Sequence, residues 1–237
     1  MSKNTKNKRL KSQFDFLVQK IPFLACLSET ELAELKKSVV EKNVKRNQVV
    51  LLEEDTPHYL YFIYSGKIKV IQLSDDGRER ILAIRKRGDF FGEMAILDGM
   101  TVPATVVAME DAKVGFISKK DFETHLLQNR KALLEIISML CMRLREAWSM
   151  LRIMSFGDAE QRIWMVLNTI GDQFGVKDQR GIIITIKLTH QDIAELAGTA
   201  RETVTRALKR FVRAGEIEIL EKKYILLTPA FIRKIRI

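Results

Sequence analysis

The segment 188–228, LTHQDIAELAGTARETVTRALKRFVRAGEIEILEKKYILLT, leaves this chain few ways to fold. Thr189 can cap a short helix by accepting an orphan backbone N–H of the first turn. Ile193 and Leu196 supply that helix with apolar contacts. Ala197-Gly198-Thr199 is a tight turn, with Gly198 free to take the positive φ of a helix end. A second helix is expected from about Ala200 to Ala214. Its Val204, Leu208 and Phe211 fall at i, i+4, i+7 and make one buried stripe. Arg201, Glu202, Thr205, Arg206 and Lys209 fall on the opposite face. Gly215 closes the helix, and runs 216–220 and 224–228 form a hairpin across Glu221-Lys222-Lys223. The expected unit is a winged helix-turn-helix.

The polar face of the second helix carries base-reading chemistry. A guanidinium fork matches guanine O6/N7, and a carboxylate can accept from cytosine N4 in the major groove. Arg201 and Glu202 stand at the N-terminal end, which normally enters the groove. Thr205, Arg206 and Lys209 continue that face, and Thr189, Gln191 and Thr199 flank it as further candidate DNA contacts. The bland reading, solvated charges on an amphipathic helix, is outweighed because turn, cap and wing agree.

At this point the residues resemble a family. TARETVTRALKRF is similar to the recognition helix of the CRP/FNR transcription regulators, of the CRP type with its R-E-T-V-x-R core. The resemblance implies that Arg201, Glu202 and Arg206 read a TGTGA-like half-site. It also implies an RNA polymerase contact for activators, with no residue here identifying it.

Composition agrees with a polyanionic partner. The 237 residues carry a formal net charge of +10, with 46% hydrophobic and 30% charged residues, ordinary for a globular protein apart from that charge. No run approaches 18 apolar residues, so no membrane span is expected. The start, MSKNTKNKRLK, lacks the apolar core of a signal peptide and reads as a basic disordered tail, 1–13. Cys26 and Cys141 are too few for a disulfide framework or a four-cysteine iron–sulfur site. Both are read as small hydrophobes in a reducing cytoplasm, where a nucleoid-associated protein would act. Three His (58, 125, 190) show no metal-ligand spacing and nothing resembles a nucleophile elbow, so no enzyme is expected. His190 reads as a surface residue.

Upstream, residues 14–42 show helical periodicity broken at Pro22, with Ser28 and Glu31 fitting a capping box for a helix through Val40. From about Val44 short β runs take over: VVLL, YLYFIY, KIKVIQL, RILAIR, ATVVAM and AKVGFIS. Glycines 66, 77, 88 and 99 recur every eleven residues between them, which argues a sandwich or roll. The segment resembles the cyclic-nucleotide-binding β-roll, most recognisably in GDFFGEMAILDG (88–99). The candidate effector pocket is Gly92, Glu93, Met94, Val102 and Pro103, with Ala147 and Trp148 from a later helix. In the family a Glu at the position of Glu93 holds the ribose and an Arg-Ser pair holds the cyclic phosphate. Here that pair is Val102-Pro103, and Pro103 lacks even a backbone donor. The family's base-contacting Thr-Ser pair aligns with Ala147-Trp148. Without a facing cation, Glu93 should repel a phosphate. Cyclic AMP is therefore not the expected effector, no cofactor is assigned, and a more apolar effector or none is expected. The alternative is a cyclic-nucleotide-responsive regulator with a non-standard phosphate pocket.

Residues 119–155 read as one long helix. Leu133, Ile137, Leu140, Leu144, Ala147, Leu151 and Met154 are spaced 4-3-4-3-4-3, a coiled-coil seam. A second row, Leu134, Cys141 and Trp148, is expected to pack on the roll. Phe156-Gly157-Asp158 is a hinge, and Asp158 with Gln161 a capping box. Ile163, Val166, Leu167 and Ile170 form the core face of a helix ended by Gly171 and Gly175. GIIITIKL (181–188) is a strand, and AFIRKIRI after Pro229 packs on the winged unit. The fold class is α+β: a jelly-roll-like β-roll (14–118), a dimerisation helix (119–156) and a winged helix-turn-helix (157–237). The expected protein is a homodimeric regulator on palindromic double-stranded DNA, with no membrane partner.

Overall fold

The computed structural model describes residues 13–56, 59–155 and 157–233. The expected basic tail, apart from Gln13, and Phe156 of the hinge lie outside them, as do the last four residues of the terminal basic segment. The chain divides into two compact units, 1–72 with 82–144, and 73–81 with 145–237.

The first unit opens with helices α1 (Gln13–Lys20), α2 (Pro22–Ala25) and α3 (Glu29–Ser38). Pro22 starts α2, where its missing N–H costs nothing. The Ser28 hydroxyl accepts from Glu31 N, and the Glu31 carboxylate accepts from Ser28 N at 2.7 Å, so the capping box forms as expected. The helix does not reach Val40. Strand β1 (Val40–Val44) begins there and pairs with a later strand, Val40 facing Phe116. Four of its five residues are exposed, so no apolar alternation announced it.

Next come β2 (Val49–Leu51), β3 (Tyr59–Ser65), β4 (Lys67–Leu73), β5 (Glu79–Lys86) and β6 (Phe90–Phe91). Helix α4 (Glu93–Asp98), β7 (Thr105–Ala108) and β8 (Ala112–Ser118) complete the roll. Two four-stranded sheets result, ordered β1-β8-β3-β6 and β2-β7-β4-β5. Glycines 66, 77, 88 and 99 all have positive φ, between 72° and 89°, as turn positions should. YLYFIY is apolar throughout because β3 is covered on both sides. Leu60, Phe62 and Tyr64 face the helices, whereas Tyr61 and Ile63 face the roll interior with Val44, Phe91, Val102 and Val114.

The long helix is interrupted. Helix α5 (Lys119–Phe122) runs into a wide turn at Glu123–Leu127, and α6 starts afresh at Arg130 and ends at Ser155. Asn129 makes the break, since its Oδ1 accepts from Lys131 N and Ala132 N at 3.1 Å. The row packed on the first core is Ala132, Ile136 and Met139. Leu134, Cys141 and Trp148 were expected there but are exposed. With Ile137, Leu144 and Leu151 they form one stripe at 134-137-141-144-148-151, spaced 3-4-3-4-3. Leu133, Leu140 and Met154 of the expected seam are half-buried at its flank, and Ala147 is exposed. A helix bearing two apolar faces permits either register from spacing alone. The fit of Ala132, Ile136 and Met139 against the first core decides which row meets it.

The second unit continues with α7 (Ala159–Phe174), β9 (Gly175–Asp178) and β10 (Gly181–Ile184). Helices α8 (His190–Ala197) and α9 (Arg201–Arg213) follow, then β11 (Ile217–Ile219), β12 (Ile225–Leu227) and α10 (Pro229–Ile232). The wing forms in the expected register, Ile217 opposite Leu227 and Ile219 opposite Ile225, in a sheet ordered β11-β12-β10-β9. Asp158 and Gln161 make the expected capping box of α7. Gly171 does not end that helix. It lies inside it, where an added Cβ would stand 2.8 Å from the Leu227 side chain, so close packing rather than chain reversal requires glycine. The expected strand 181–188 is shorter, because β10 stops at Ile184 and Thr185 N turns to the Phe174 carbonyl at 3.0 Å. Phe231 is fully buried, packed edge-on against Phe211, and its carbonyl accepts from Trp164 Nε1 at 2.9 Å, which seats the terminal segment.

Candidate DNA-reading face and effector site

Thr189 caps α8 as expected. Its hydroxyl accepts from Asp192 N at 3.0 Å, and its own N–H donates to the Asp192 carboxylate at 2.7 Å. Gly198 ends α8 at φ 57°, so the chain turns sharply into α9. A guanidinium holds that turn: Arg162 of α7 donates from Nε to Ala197 O (3.0 Å) and from Nη2 to Gly198 O (3.4 Å). Its Nη1 donates to Gly157 O (3.2 Å). These carbonyls are the orphan acceptors a helix end leaves, and one cation satisfies two of them. The reading of the sequence missed Arg162, because nothing local marks an arginine whose partners lie 35 residues away.

On α9, Val204, Ala207, Leu208 and Phe211 are buried. Arg201, Glu202, Arg206 and Lys209 are exposed, and Thr205 is half-buried. Arg206 Nη2 reaches Thr203 Oγ1 at 3.3 Å, whereas the side chains of Arg201, Glu202 and Lys209 have no partner among the described residues. Long cations and a carboxylate thus stand ready on one surface. Gln191 turns along its own helix to Glu195 Oε1 at 3.0 Å, and Thr199 is half-buried with its N–H on Ala194 O. His190, expected only as a surface residue, is exposed but bonded. Its Nδ1 lies 2.8 Å from Thr205 Oγ1 on α9.

The candidate effector site differs from expectation at its charged centre. Gly92 has φ 86° and packs against Tyr59 O, where an added Cβ would come within 2.8 Å. Glu93 is buried, 5% exposed, and it does face a cation. Arg143 of α6 pairs with the Glu93 carboxylate, donates from Nη2 to Phe90 O at 2.7 Å, and lies 4.3 Å from the Phe90 ring centre. Removing one partner of such a pair leaves an uncompensated buried charge, at a cost of about 3–5 kcal/mol when burial is complete. The signal for Arg143 was present in the spacing. It continues the buried row 132-136-139 by one turn, and a charge on a core-facing row needs a partner. Burial also raises the pKa of the nearby Asp89 carboxyl, partly offset by the Lys86 N–H it accepts.

At Val102 and Pro103, where a phosphate contact was sought, neither side chain carries a charge. Val102 is buried, 5% exposed, in the roll interior. Its N–H donates to Asp55 O and its carbonyl accepts from Glu54 N, both at 2.9 Å, so its backbone is committed to the chain beside it. Pro103 is exposed, and its carbonyl accepts from Gln72 Nε2 at 3.5 Å. Met94 is half exposed on α4, and Ala147 and Trp148 are exposed on α6 one turn beyond Arg143. Among the described residues no helix is long and apolar enough to cross a membrane.

Comparison with known proteins agrees with both units. Residues 41–129 match the cyclic nucleotide-binding domain, and residues 161–235 match the Crp-like helix-turn-helix domain. The anaerobic regulatory protein of Bacillus subtilis is 30% identical over 203 residues, 85% of this chain and 85% of that protein. The CRP-like cAMP-activated global transcriptional regulator of Mycobacterium tuberculosis is 28% identical over 199 residues, 84% of this chain and 88% of that protein. The structure of FixK2 from Bradyrhizobium japonicum shares the fold, with a TM-score of 0.72 at 21% identity, covering 81% of this chain and 93% of that one. With a winged helix-turn-helix behind a β-roll, and relatives of this coverage, the chain belongs to the CRP/FNR family of transcription regulators.

Proposed function

We propose that this regulator works as a homodimer that reads a palindromic, TGTGA-like DNA site through α9, with Arg201, Glu202 and Arg206 on the bases. Thr189, Gln191, Thr199, Thr205 and Lys209 serve the same surface as flanking and phosphate contacts. The observation that carries this reading is the placement of Arg201, Glu202, Arg206 and Lys209 together on the exposed side of a helix whose other side is core. The protein acts in the cytoplasm on the nucleoid, with RNA polymerase as partner where it activates, and it is not an enzyme. A gel shift with a palindromic TGTGA duplex against a scrambled duplex at fixed salt tests the reading. Equal retention of the two probes overturns it.

The same reading takes α6 as the two-fold contact, through the apolar stripe running from Leu134 to Leu151. Cys141 lies on that stripe and is exposed, contrary to its reading as a buried hydrophobe, while Cys26 is half-buried against the first core. Neither is assigned a sensing role. A Cys26→Ser/Cys141→Ser protein is expected to bind the palindrome like the parent under reducing and oxidising conditions. A redox response present in the parent and lost in the double variant would assign one to them.

For the effector, we propose an apolar molecule or none, not a cyclic nucleotide. A cyclic phosphate taken out of water needs a charge or several donors. Position 102 offers a buried valine with its backbone engaged, and position 103 a proline. Arg143 is already paired with Glu93, so ribose and phosphate would both have to compete with a formed ion pair. Calorimetric titration with cyclic AMP and cyclic GMP is expected to show no saturable binding at micromolar concentrations. Saturable binding that also tightens the DNA complex favours the non-standard phosphate pocket instead.

A further inference from the structure

The first turn of α8 holds a short hydrogen-bond chain that base reading does not use. His190 Nδ1 lies 2.8 Å from the Thr205 hydroxyl, and that hydroxyl donates to the Arg201 carbonyl over 3.0 Å. A hydroxyl has one proton to give and lone pairs to accept with. Once its proton is directed to Arg201 O, the imidazole must donate to it, so Nδ1 carries the hydrogen. In the neutral ring Nε2 is then a bare acceptor. The ring is exposed, and its Thr205 bond ties it to the recognition helix.

In helix-turn-helix docking the second helix enters the groove while the first crosses the sugar-phosphate backbone. A bare Nε2 facing a phosphate oxygen sets a lone pair against an anion. Protonation reverses the interaction: Nε2–H donates a charge-assisted bond to phosphate, and Nδ1–H keeps Thr205. We propose that His190 is a proton-dependent phosphate contact, so that the protein binds DNA more tightly as pH falls. The proposal rests on the DNA-binding reading above. In the step, one proton per protomer leaves a buffer acid and ends on Nε2, and no other bond changes.

Charged groups on the three packed helices set the surroundings of the ring. On α8 they are Asp192, held by the Thr189 N–H and hydroxyl, and Glu195, held by Gln191. On α9 they are Arg201, Glu202, Arg206, Lys209 and, in its last turn, Arg213, with Arg210 paired to Glu160 of α7. The remaining charges of α7 are Arg162, bound to three carbonyls, and Asp172. Of these residue types and histidine, only imidazole ordinarily changes charge between about pH 5 and 8. A phosphate facing Nε2 in the complex favours the protonated ring, and that anion is absent from the free protein, which is the difference that proton linkage requires.

The test is fluorescence anisotropy of the full chain on the palindromic duplex, at about pH 6 and about pH 8 and matched ionic strength, for parent, His190→Gln and His190→Arg. The parent is expected to bind about tenfold more tightly at the lower pH, from up to one proton taken up per protomer. His190→Gln, which cannot charge, is expected to lose that difference and bind like the parent at the higher pH. His190→Arg, always charged, is expected to bind tightly at both. Tight specific binding by the parent with no pH difference overturns this proposal and leaves the DNA reading standing. The same holds if His190→Gln keeps the parent's pH difference, which would assign it to His58 or His125. Absence of specific binding at either pH overturns the DNA reading and this proposal together.

Discussion

Leu144→Glu is expected to yield a monomer that no longer binds a palindrome specifically. Leu144 lies mid-stripe on α6 and is 50% exposed, so glutamate there costs the isolated protomer little packing. Glutamate is also nearly as good a helix former as leucine, so α6 itself should persist. In a two-fold pair the substitution acts twice. Each chain loses the burial of the exposed half of one leucine, worth about 0.8–1.5 kcal/mol, and two like charges meet across the axis. Dimerisation should therefore weaken by at least roughly 1.5–3 kcal/mol, about 10- to 10²-fold. Two recognition helices about 34 Å apart are what let a dimer span two half-sites, so specific binding should go with the dimer. Sedimentation reads the mass directly. An unchanged dimer of Leu144→Glu would remove this stripe from the proposed function.

Arg201→Ala and Arg206→Ala are expected to relax site preference more than they weaken non-specific binding. Losing one bidentate guanine contact costs roughly 1–3 kcal/mol on the cognate base pair. On a palindrome the loss occurs at both half-sites, so discrimination should fall by about 2–6 kcal/mol. Binding to a scrambled duplex depends mainly on neutralised phosphates and should fall only slightly. Both arginines are exposed, and neither contributes to the core formed by Val204, Leu208 and Phe211, so the fold should survive. Anisotropy on cognate and scrambled duplexes at one salt concentration separates the two effects. Unchanged site preference in both variants would show that α9 does not read the bases.

The winged unit was legible in the sequence because each of its signals is local. The cap Thr189, the turn at Gly198, the 204-208-211 stripe and the hairpin at 221–223 each lie within a few residues of what they control. The roll was legible for a similar reason, since its strands alternate with turn glycines at a fixed interval. That Val102 and Pro103 carry no charge could likewise be read directly from residue identity.

What the sequence alone left open were interactions between residues far apart in the chain. Arg143 meets Glu93 from 50 residues away, so the expectation of an unfaced carboxylate was wrong. Arg162 meets the turn from 35 residues away, and β1 pairs with β8 without any apolar alternation of its own. The α6 stripe shows the limit most plainly. Spacing established that two apolar rows exist, and both fit a heptad. Which row faces the roll depends on how Ala132, Ile136 and Met139 fit against the first core, and that is a property of the packed structure rather than of the periodicity. Local chemistry therefore determined the elements and the exposed polar face of α9. Tertiary packing decided the partner of the buried carboxylate, the clamp on the turn, and the face of α6 left exposed.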